Sequence, residues 1–292
     1  MNNDFLKDFK TKREDYFVIW ALSDIHPKGA EKHLIQRKQY EDAINDMITQ
    51  SVDTVIVAGD IALGTDAVLK RKDYEWYNQL KNKFIYEAKI HYDNWIDIAG
   101  NHDNHIMEEY LKQINNKPYY MRQFGNIVIL ALSDEYSNYS AEQEISDKGF
   151  TWWKEQIKKY SKDNIIINVT HNHALKGTIF QTLRIDSLLG MGIQGTRGMF
   201  YEINHYPIDI WLNGHTHKPS WLPTTTVKSK GIIYIDTAAI RKDFWYQNVE
   251  SRVIYFKKNS NEVLIRTRYH EHKKYIKCLD KLYHIRNKFN IG

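Results

Sequence analysis

The stretch Trp95-Ile96-Asp97-Ile98-Ala99-Gly100-Asn101-His102-Asp103-Asn104-His105-Ile106 changes character at its middle. Its first half is a short apolar run of β-formers, the pattern of a strand buried in a sheet. Its second half places two amides, two imidazoles and a carboxylate in the loop that follows. Groups of this kind hold metal ions and move protons. One such loop carries little weight, because loops tolerate polar residues. The reading turns on whether other strands empty into loops that carry matching partners.

They do. Short β-rich runs predict strands at Phe17–Leu22, Thr54–Ala58, Asn94–Ala99, Ile127–Leu132, Ile165–Thr170, Asp209–Leu212, Gly231–Asp236, Ser251–Phe256 and Val263–Arg268. Apolar residues at Tyr40, Ala43, Ile44, Met47 and Ile48 predict a helix with one greasy stripe. Further helices are expected at about Tyr74–Ala88 and Lys148–Tyr160. Helices alternating with buried strands imply an α/β fold with a largely parallel sheet in the first half. The second half is richer in strands, with a hairpin expected at Lys257–Asn261. After the strands come Asp24-Ile25-His26, Gly59-Asp60, Gly100-Asn101-His102-Asp103, His171, and Gly214-His215-Thr216-His217. Ligands of parallel sheets sit beyond the carboxyl ends of the strands, so these five loops project onto one edge.

Carboxylate, imidazole and amide oxygen together suit Mn, Fe, Zn or Ni. A carboxylate can bridge two cations, and two cations about 3.5–4 Å apart can clamp a phosphoryl group and activate water between them. In extended backbone Asp24 and His26 point the same way, as do His215 and His217, while Asn101 and His102 point apart. Gly59, Gly100 and Gly214 each precede a candidate ligand, where a missing side chain allows a sharp turn.

The series SDIH, AGDI, GNHD, VTH and GHTH, in this order from Ser23 to His217, resembles the calcineurin-like metallophosphoesterase superfamily. The resemblance covers about two thirds of the chain. It implies an α/β double β-sandwich flanked by helices, with the metal site at the sheet edge. It implies one metal held by Asp24, His26, Asp60 and His217, and a second held by Asp60, Asn101, His171 and His215, with Asp60 bridging. The implied cofactors are two divalent ions, manganese first, with Fe, Zn, Ni or Mg as alternatives. His102 would face a small-molecule phosphoester, and Asp103 would orient it. The implied activity is phosphodiester hydrolysis by a bridging hydroxide. A phosphomonoesterase and a non-catalytic metal-bound scaffold are the alternatives, and the full set of ligand positions with His102 favours an enzyme.

Departures narrow the branch. Leu63 stands where purple acid phosphatases place a metal-binding Tyr, and Gly59–Gly64 lacks the GDYVDRG continuation of protein phosphatases. An Arg common soon after GNHD in cyclic-nucleotide phosphodiesterases is replaced by Asn104-His105-Ile106. The fourth motif reads His171-Asn172-His173-Ala174 rather than His-His-Pro, and His171 is preferred to His173 because it follows the strand directly. His33, His91, His205, His270, His272 and His284 read as solvated, and His105 as either solvated or near the substrate.

The chain's 292 residues carry a net charge of +5, which admits a nucleic-acid partner without arguing for one. No run approaches the ~18 apolar residues of a membrane span. The charged start of the chain and the single Cys278 are read as cytoplasmic. One domain over 1–292 is expected, with a basic helix at about 270–292 packed on it. The Gly-rich stretch Gly190–Gly198 reads as a connection before a helix near Phe200–His205, or as a lid carrying Arg197. Tyr136, Tyr139 and Trp245 are candidates to stack on a leaving group. The oligomeric state is open.

Overall fold

The computed structural model describes residues 2–27, 34–64, 66–133, 135, 143–174, 193–194, 205–242 and 248–291. Its helices are α1 (Asn2–Thr11), α2 (Leu34–Met47), α3 (Ala67–Ala88), α4 (Asn101–Asn104), α5 (Met107–Gln113) and α6 (Asp147–Tyr160). Its strands are β1 (Tyr16–Leu22), β2 (Thr54–Ala58), β3 (Trp95–Ile98), β4 (Tyr119–Phe124), β5 (Ile127–Leu132), β6 (Gln143–Glu144), β7 (Ile165–Val169), β8 (Ile193–Gln194), β9 (Ile210–Asn213), β10 (Thr226–Ser229), β11 (Ile232–Asp236), β12 (Glu250–Lys257), β13 (Glu262–Tyr269), β14 (Lys274–Tyr275) and β15 (Lys281–His284).

Apolar alternation on both faces dictates the layering. β1 sends Phe17, Ile19 and Ala21 to one side and Val18, Trp20 and Leu22 to the other. A strand apolar on both faces must be covered twice. The first sheet runs β14-β13-β12-β1-β2-β3, with β15 also on β13, and the second runs β10-β11-β9-β7-β5-β4. They face each other through an aliphatic core that includes Ile19, Ile56, Ile96, Ile129, Ile167 and Ile210. The outer face of the first sheet is closed by α2 and α3, through Tyr40, Ile44, Tyr77 and Phe84. The outer face of the second is closed by α6, through Phe150, Trp153 and Ile157. The result is a four-layer α/β/β/α sandwich.

Two features place the site. β1, β2 and β3 are mutually parallel, as are β5, β7, β9 and β11, so each sheet sends a row of carboxyl ends to one edge. The inner faces also shrink toward that edge: β1 runs Phe17, Ile19, Ala21, β2 runs Ile56, Ala58, and β5 runs Ile127, Ile129, Ala131. Small residues let the two sheets close up where their loops meet, since sheet spacing follows side-chain size.

All nine expected strands are present, each end within one residue. The basic segment at 270–292 corrects an expectation. It is not a helix but β14 and β15 on β13, with Leu282 opposite Leu264 and Tyr283 opposite Val263. Its apolar residues alternate between the outer core (Leu282) and the inter-sheet core (Tyr283, Ile285, Phe289), a period of two hidden among lysines. His270 is likewise buried rather than solvated: Nδ1 lies 3.0 Å from Asp46 Oδ2 and Nε2 lies 2.8 Å from Ser251 Oγ. His91, His205, His272 and His284 are exposed, as expected, and His33 lies outside the described residues.

Asp46, at the end of α2, also receives both forks of buried Arg268 on β13. Burial opposes the Asp46 charge, but the hydrogen bonds from Arg268 and His270 hold its carboxyl below the ordinary 3.8. Burial pushes His270 below 6.5 despite Asp46. Both groups have lower values folded than unfolded, so both favour the folded state at neutral pH and lose that contribution in acid. Stability should fall as pH drops below 6.5, as the His270 contribution fades, and again below 3.8, as the Asp46 contribution fades. Asp46→Ala should cost roughly 3–5 kcal/mol, because it strands the Arg268 cation. Urea unfolding of the wild type across pH 3–8, and of the variant at pH 7, checks both; a flat profile with a neutral variant would refute them.

Candidate metal centre

Each candidate ligand stands just past a strand. Asp24 and His26 follow β1, Asp60 follows β2, Asn101 and His102 open α4 after β3, His171 follows β7, and His215 and His217 follow β9. The structure brings all of them together. His217 Nε2 lies 3.0 Å from Asp24 Oδ1, and His26 Nε2 lies 3.5 Å from the same oxygen. On the other side His171 Nε2 lies 3.1 Å from Asn101 Oδ1 and 3.2 Å from His215 Nδ1. Between them stands Asp60. Its Oδ2 is 3.2 Å from His26 Nε2 and 3.2 Å from His171 Nε2, so one oxygen belongs to both groups. Asp24–His26–His217 and Asp60–His171–His215 each converge tightly enough to hold a metal ion, and His26–Asp60–His102 forms a third such set.

Hydrogen bonding shows where lone pairs point. His171 Nδ1 lies 2.8 Å from the Ala58 carbonyl, which assigns the proton to Nδ1 and leaves Nε2 aimed at the Asp60 and Asn101 oxygens. A lone pair facing oxygens repels them unless a positive charge stands between. Burial opposes protonation of His171, yet the Asp60 carboxylate pushes it up to about 10, so a proton can fill that place. A cation would fill it equally well. Burial works against the Asp24 and Asp60 charges too, but the surrounding imidazoles hold both carboxyls well below the usual range. Among the described residues, the buried His26 Nδ1, His26 Nε2 and His215 Nε2 meet no partner in hydrogen-bonding geometry, although His26 Nε2 lies beside the Asp60 and Asp24 carboxylates. Buried donor atoms in excess of their partners, in a set of carboxylate, imidazole and amide, fit divalent cations.

The backbone pays for this convergence. Asp24, His26, Asp60, His215 and His217 have φ of 55°, 45°, 55°, 69° and 50°, the left-handed region. Asp24/His26 and His215/His217 therefore converge through successive left-handed turns, not through the extended backbone expected from their i, i+2 spacing. Asp and His tolerate this region better than most residues, but it costs of order 1–2 kcal/mol each and persists only where the surroundings enforce it. Gly59 (φ 89°) is left-handed as well, and a Cβ there would stand 2.5 Å from His171 Nδ1. Gly100 serves close approach: its Cβ would stand 2.2 Å from Asp60 Oδ1.

His102 and Asp103 correct two expectations. They lie in the first turn of α4, not in an extended loop. The Asp103 carboxylate does not orient His102. It is fully buried and accepts from the N–H groups of Ile61 (3.0 Å), Ala62 (2.9 Å) and Gly100 (2.9 Å) and from the Tyr74 hydroxyl (3.0 Å). It ties the loop after β2 to the loop after β3. His102 instead donates its backbone N–H to Asp60 Oδ1 at 2.9 Å and turns its ring to the rim, with Nε2 3.9 Å from Asp60 Oδ2 and the side chain 37% exposed. Burial, with His26 and His171 outweighing part of the pull of Asp60, pushes His102 down to about 4, so its ring is neutral at pH 7. His105 lies beside it, ring centroids 5.6 Å apart. His173 joins none of the three sets and lines a small polar cavity with Asn213, Thr216 and Asp236.

Three groups escaped the sequence reading. Ser23 Oγ donates to Asp24 Oδ2 and fixes that carboxylate. Lys70 is wholly buried, and its Nζ donates to the carbonyls of His102 and Asp103 from beneath α4. Arg241 approaches His217 Nδ1 at 3.3 Å. A signal existed for two of them. Lys70 falls on the Lys70–Asp73–Tyr74–Tyr77–Lys81–Phe84 stripe of α3, a buried face that includes charges. Arg241 follows β11, which is parallel to β9 and ends at the same edge. The Gly190–Gly198 stretch, the expected helix up to residue 204, and Tyr136, Tyr139 and Trp245 lie outside the described residues, apart from the short strand Ile193–Gln194.

Residues 17–219 match the family of calcineurin-like phosphoesterases, more than two thirds of the chain. The chain belongs to this family. No curated protein is similar enough in sequence to match. In fold the chain is similar to a dimetal phosphatase from Danio rerio, with TM-score 0.62 and 10% identity, covering 92% of this chain and 99% of that one. It is also similar to a purple acid phosphatase from yellow lupin (Lupinus luteus) seeds, with TM-score 0.60 and 11% identity, covering 94% of this chain and 54% of the lupin chain. The chain thus spans about half the length of the lupin enzyme, and at these identities the likeness is one of fold.

Gly100→Ala tests the closeness of the site directly. A methyl group 2.2 Å from Asp60 Oδ1 must displace that carboxylate. The variant should fold but bind Mn²⁺ at least about tenfold more weakly, the effect of ~1.4 kcal/mol, measured by calorimetric titration. Wild-type affinity would mean that Asp60 is free to move.

Proposed function

We propose that the chain is a binuclear, metal-dependent phosphodiesterase. The observation that carries this reading is the single oxygen, Asp60 Oδ2, placed 3.2 Å from one imidazole of each ligand group. Asp24, His26, Asp60 and His217 would hold one divalent cation, and Asp60, Asn101, His171 and His215 a second. Such cations polarise the phosphoryl group and acidify the attacking water; manganese suits the oxygen-and-imidazole set. The protein's own residues do the rest. Asp103 and Lys70 hold the His102 turn rigid, so its ring meets the substrate without reorganisation. His102 donates a hydrogen bond to a phosphoryl oxygen. The negative charge of a bound phosphoester favours the protonated ring, which then passes its proton to the departing oxygen.

The distribution of cations favours a diester. Among the described residues, Lys70 spends its donors on carbonyls under α4 and Arg241 contacts His217. Among the described residues, metals and His102 would then face the substrate, which suits the single charge of a phosphodiester better than the double charge of a monoester.

With Mn²⁺ present, kcat/KM should be higher for bis-p-nitrophenyl phosphate than for p-nitrophenyl phosphate. The reverse order would make the protein a monoesterase, and metal binding without turnover of either would make it a binding module. His102→Gln should keep both metals and lose about 10²–10⁴-fold in turnover. The loss should be larger for alkyl than for nitrophenyl leaving groups, since nitrophenolate departs without a proton. An equal loss would remove proton transfer from the role of His102.

A further inference from the structure

A second cluster of charge lies far from the Asp/His cluster. It surrounds a cleft of about 530 Å³ between α1, the turn ahead of β2 and the outer face of β12–β13. Lys7, Lys10, Arg13, Arg266 and Lys277 line it, and no carboxylate does. The candidate metal residues follow the carboxyl end of β1, whereas Arg13 precedes its amino end. The strand between them is about 20 Å long.

The five cations are not equivalent. Arg13 is paired with Asp53 at 2.7 Å, and Arg266 with Asp280 at 3.1 Å, both from outside the cleft. These pairs hold the two guanidinium groups in place. Lys7, Lys10 and Lys277 are exposed and form no ion pair with a described residue. Lys7 and Lys10 are three apart on α1, hence on one face. Leu6 and Phe9 share that spacing and give the cleft an apolar wall, which Tyr255 and Tyr275 continue. The Arg266 guanidinium stacks 4.0 Å over the Tyr275 ring, and the Tyr275 hydroxyl receives that of Tyr255 at 3.2 Å. So the floor is held by paired and stacked side chains, and the lysines stand exposed at its rim.

We propose that this cleft binds a ligand with two or more adjacent phosphate groups, a nucleoside di- or triphosphate being the form that fills it. Three exposed lysines that make no close ion pair with a described residue, beside two guanidinium groups held by Asp53 and Asp280, match several neighbouring negative charges. The apolar wall gives a base something to cover. The volume falls within the range of small-molecule sites. Nothing in this assignment depends on the Asp/His cluster being an esterase.

The test uses the full-length protein in EDTA, which removes metal anchoring at the other site. Calorimetry with ATP, AMP and inorganic tripolyphosphate should give measurable binding of ATP and at least tenfold weaker binding of AMP. Lys10→Glu/Lys277→Glu should weaken ATP binding at least tenfold. Lys72→Glu/Lys83→Glu, the same total charge change at exposed positions of α3, and Asp60→Asn should leave it unchanged. ATP binding tighter than tripolyphosphate supports a nucleotide, and equal binding supports an inorganic chain of phosphates; both uphold the site. No binding of either triphosphate, equal binding of AMP, or a Kd indifferent to the double variant would overturn it. Circular dichroism of the double variant shows that it folds, since both lysines are exposed.

Discussion

The contact between the loop after β2 and the loop after β7 is the constraint on which the rest depends. Gly59 stands so close to His171 that a methyl group would reach 2.5 Å from the ring, and Asp60 Oδ2 meets that ring at 3.2 Å. β2 belongs to one sheet and β7 to the other, so this is where the halves of the sandwich meet. The grading of the inner faces from Phe17 to Ala21, and from Ile127 to Ala131, gives the sheets room to approach at that edge. Wider residues at Ala21, Ala58 or Ala131 would push the sheets apart and split the ligand groups that Asp60 joins.

Charges buried beneath the site keep it in shape. Five left-handed candidate ligand residues are held by surroundings that leave them little freedom. Asp103 receives three backbone N–H groups from two loops, and Lys70 takes up carbonyls of α4. Below them Asp97 receives Lys81 at 2.7 Å and Trp95 Nε1 at 2.9 Å, while the Tyr77 hydroxyl donates to it as well. A buried charge lacking one of these partners would be costly. Such networks fix one geometry, which a pair of ligand groups needs more than it needs stability.

Much of this was legible in the sequence, for a physical reason. A parallel strand ends where its ligand begins, so the order Asp24, His26, Asp60, Asn101, His171, His215, His217 reads off the strand ends. What stayed hidden follows from where hydropathy misleads. Lys70, Asp73 and Lys81 occupy core positions of α3, so the sequence places the helix start only at about Tyr74, although it begins at Ala67 with Asp66 as its cap. β15, Lys281-Leu282-Tyr283-His284, sends adjacent apolar residues to opposite faces and lies among basic residues, and so passes for a solvated helix. Asp103 follows a His in sequence, which suggests a pair, but α4 turns the two side chains to different tasks. No pattern of residue types announces left-handed backbone at Asp24 or His217, since only the closing of the two sheets demands it.

The central claim is that one carboxylate serves two cations. Crystals grown with Mn²⁺ and measured near the manganese absorption edge test it most directly. Two anomalous peaks per chain are expected, one beside Asp24 and His217 and the other beside Asn101, His171 and His215, with Asp60 between them. A single peak, or two peaks of which one lies away from Asp60, would contradict it.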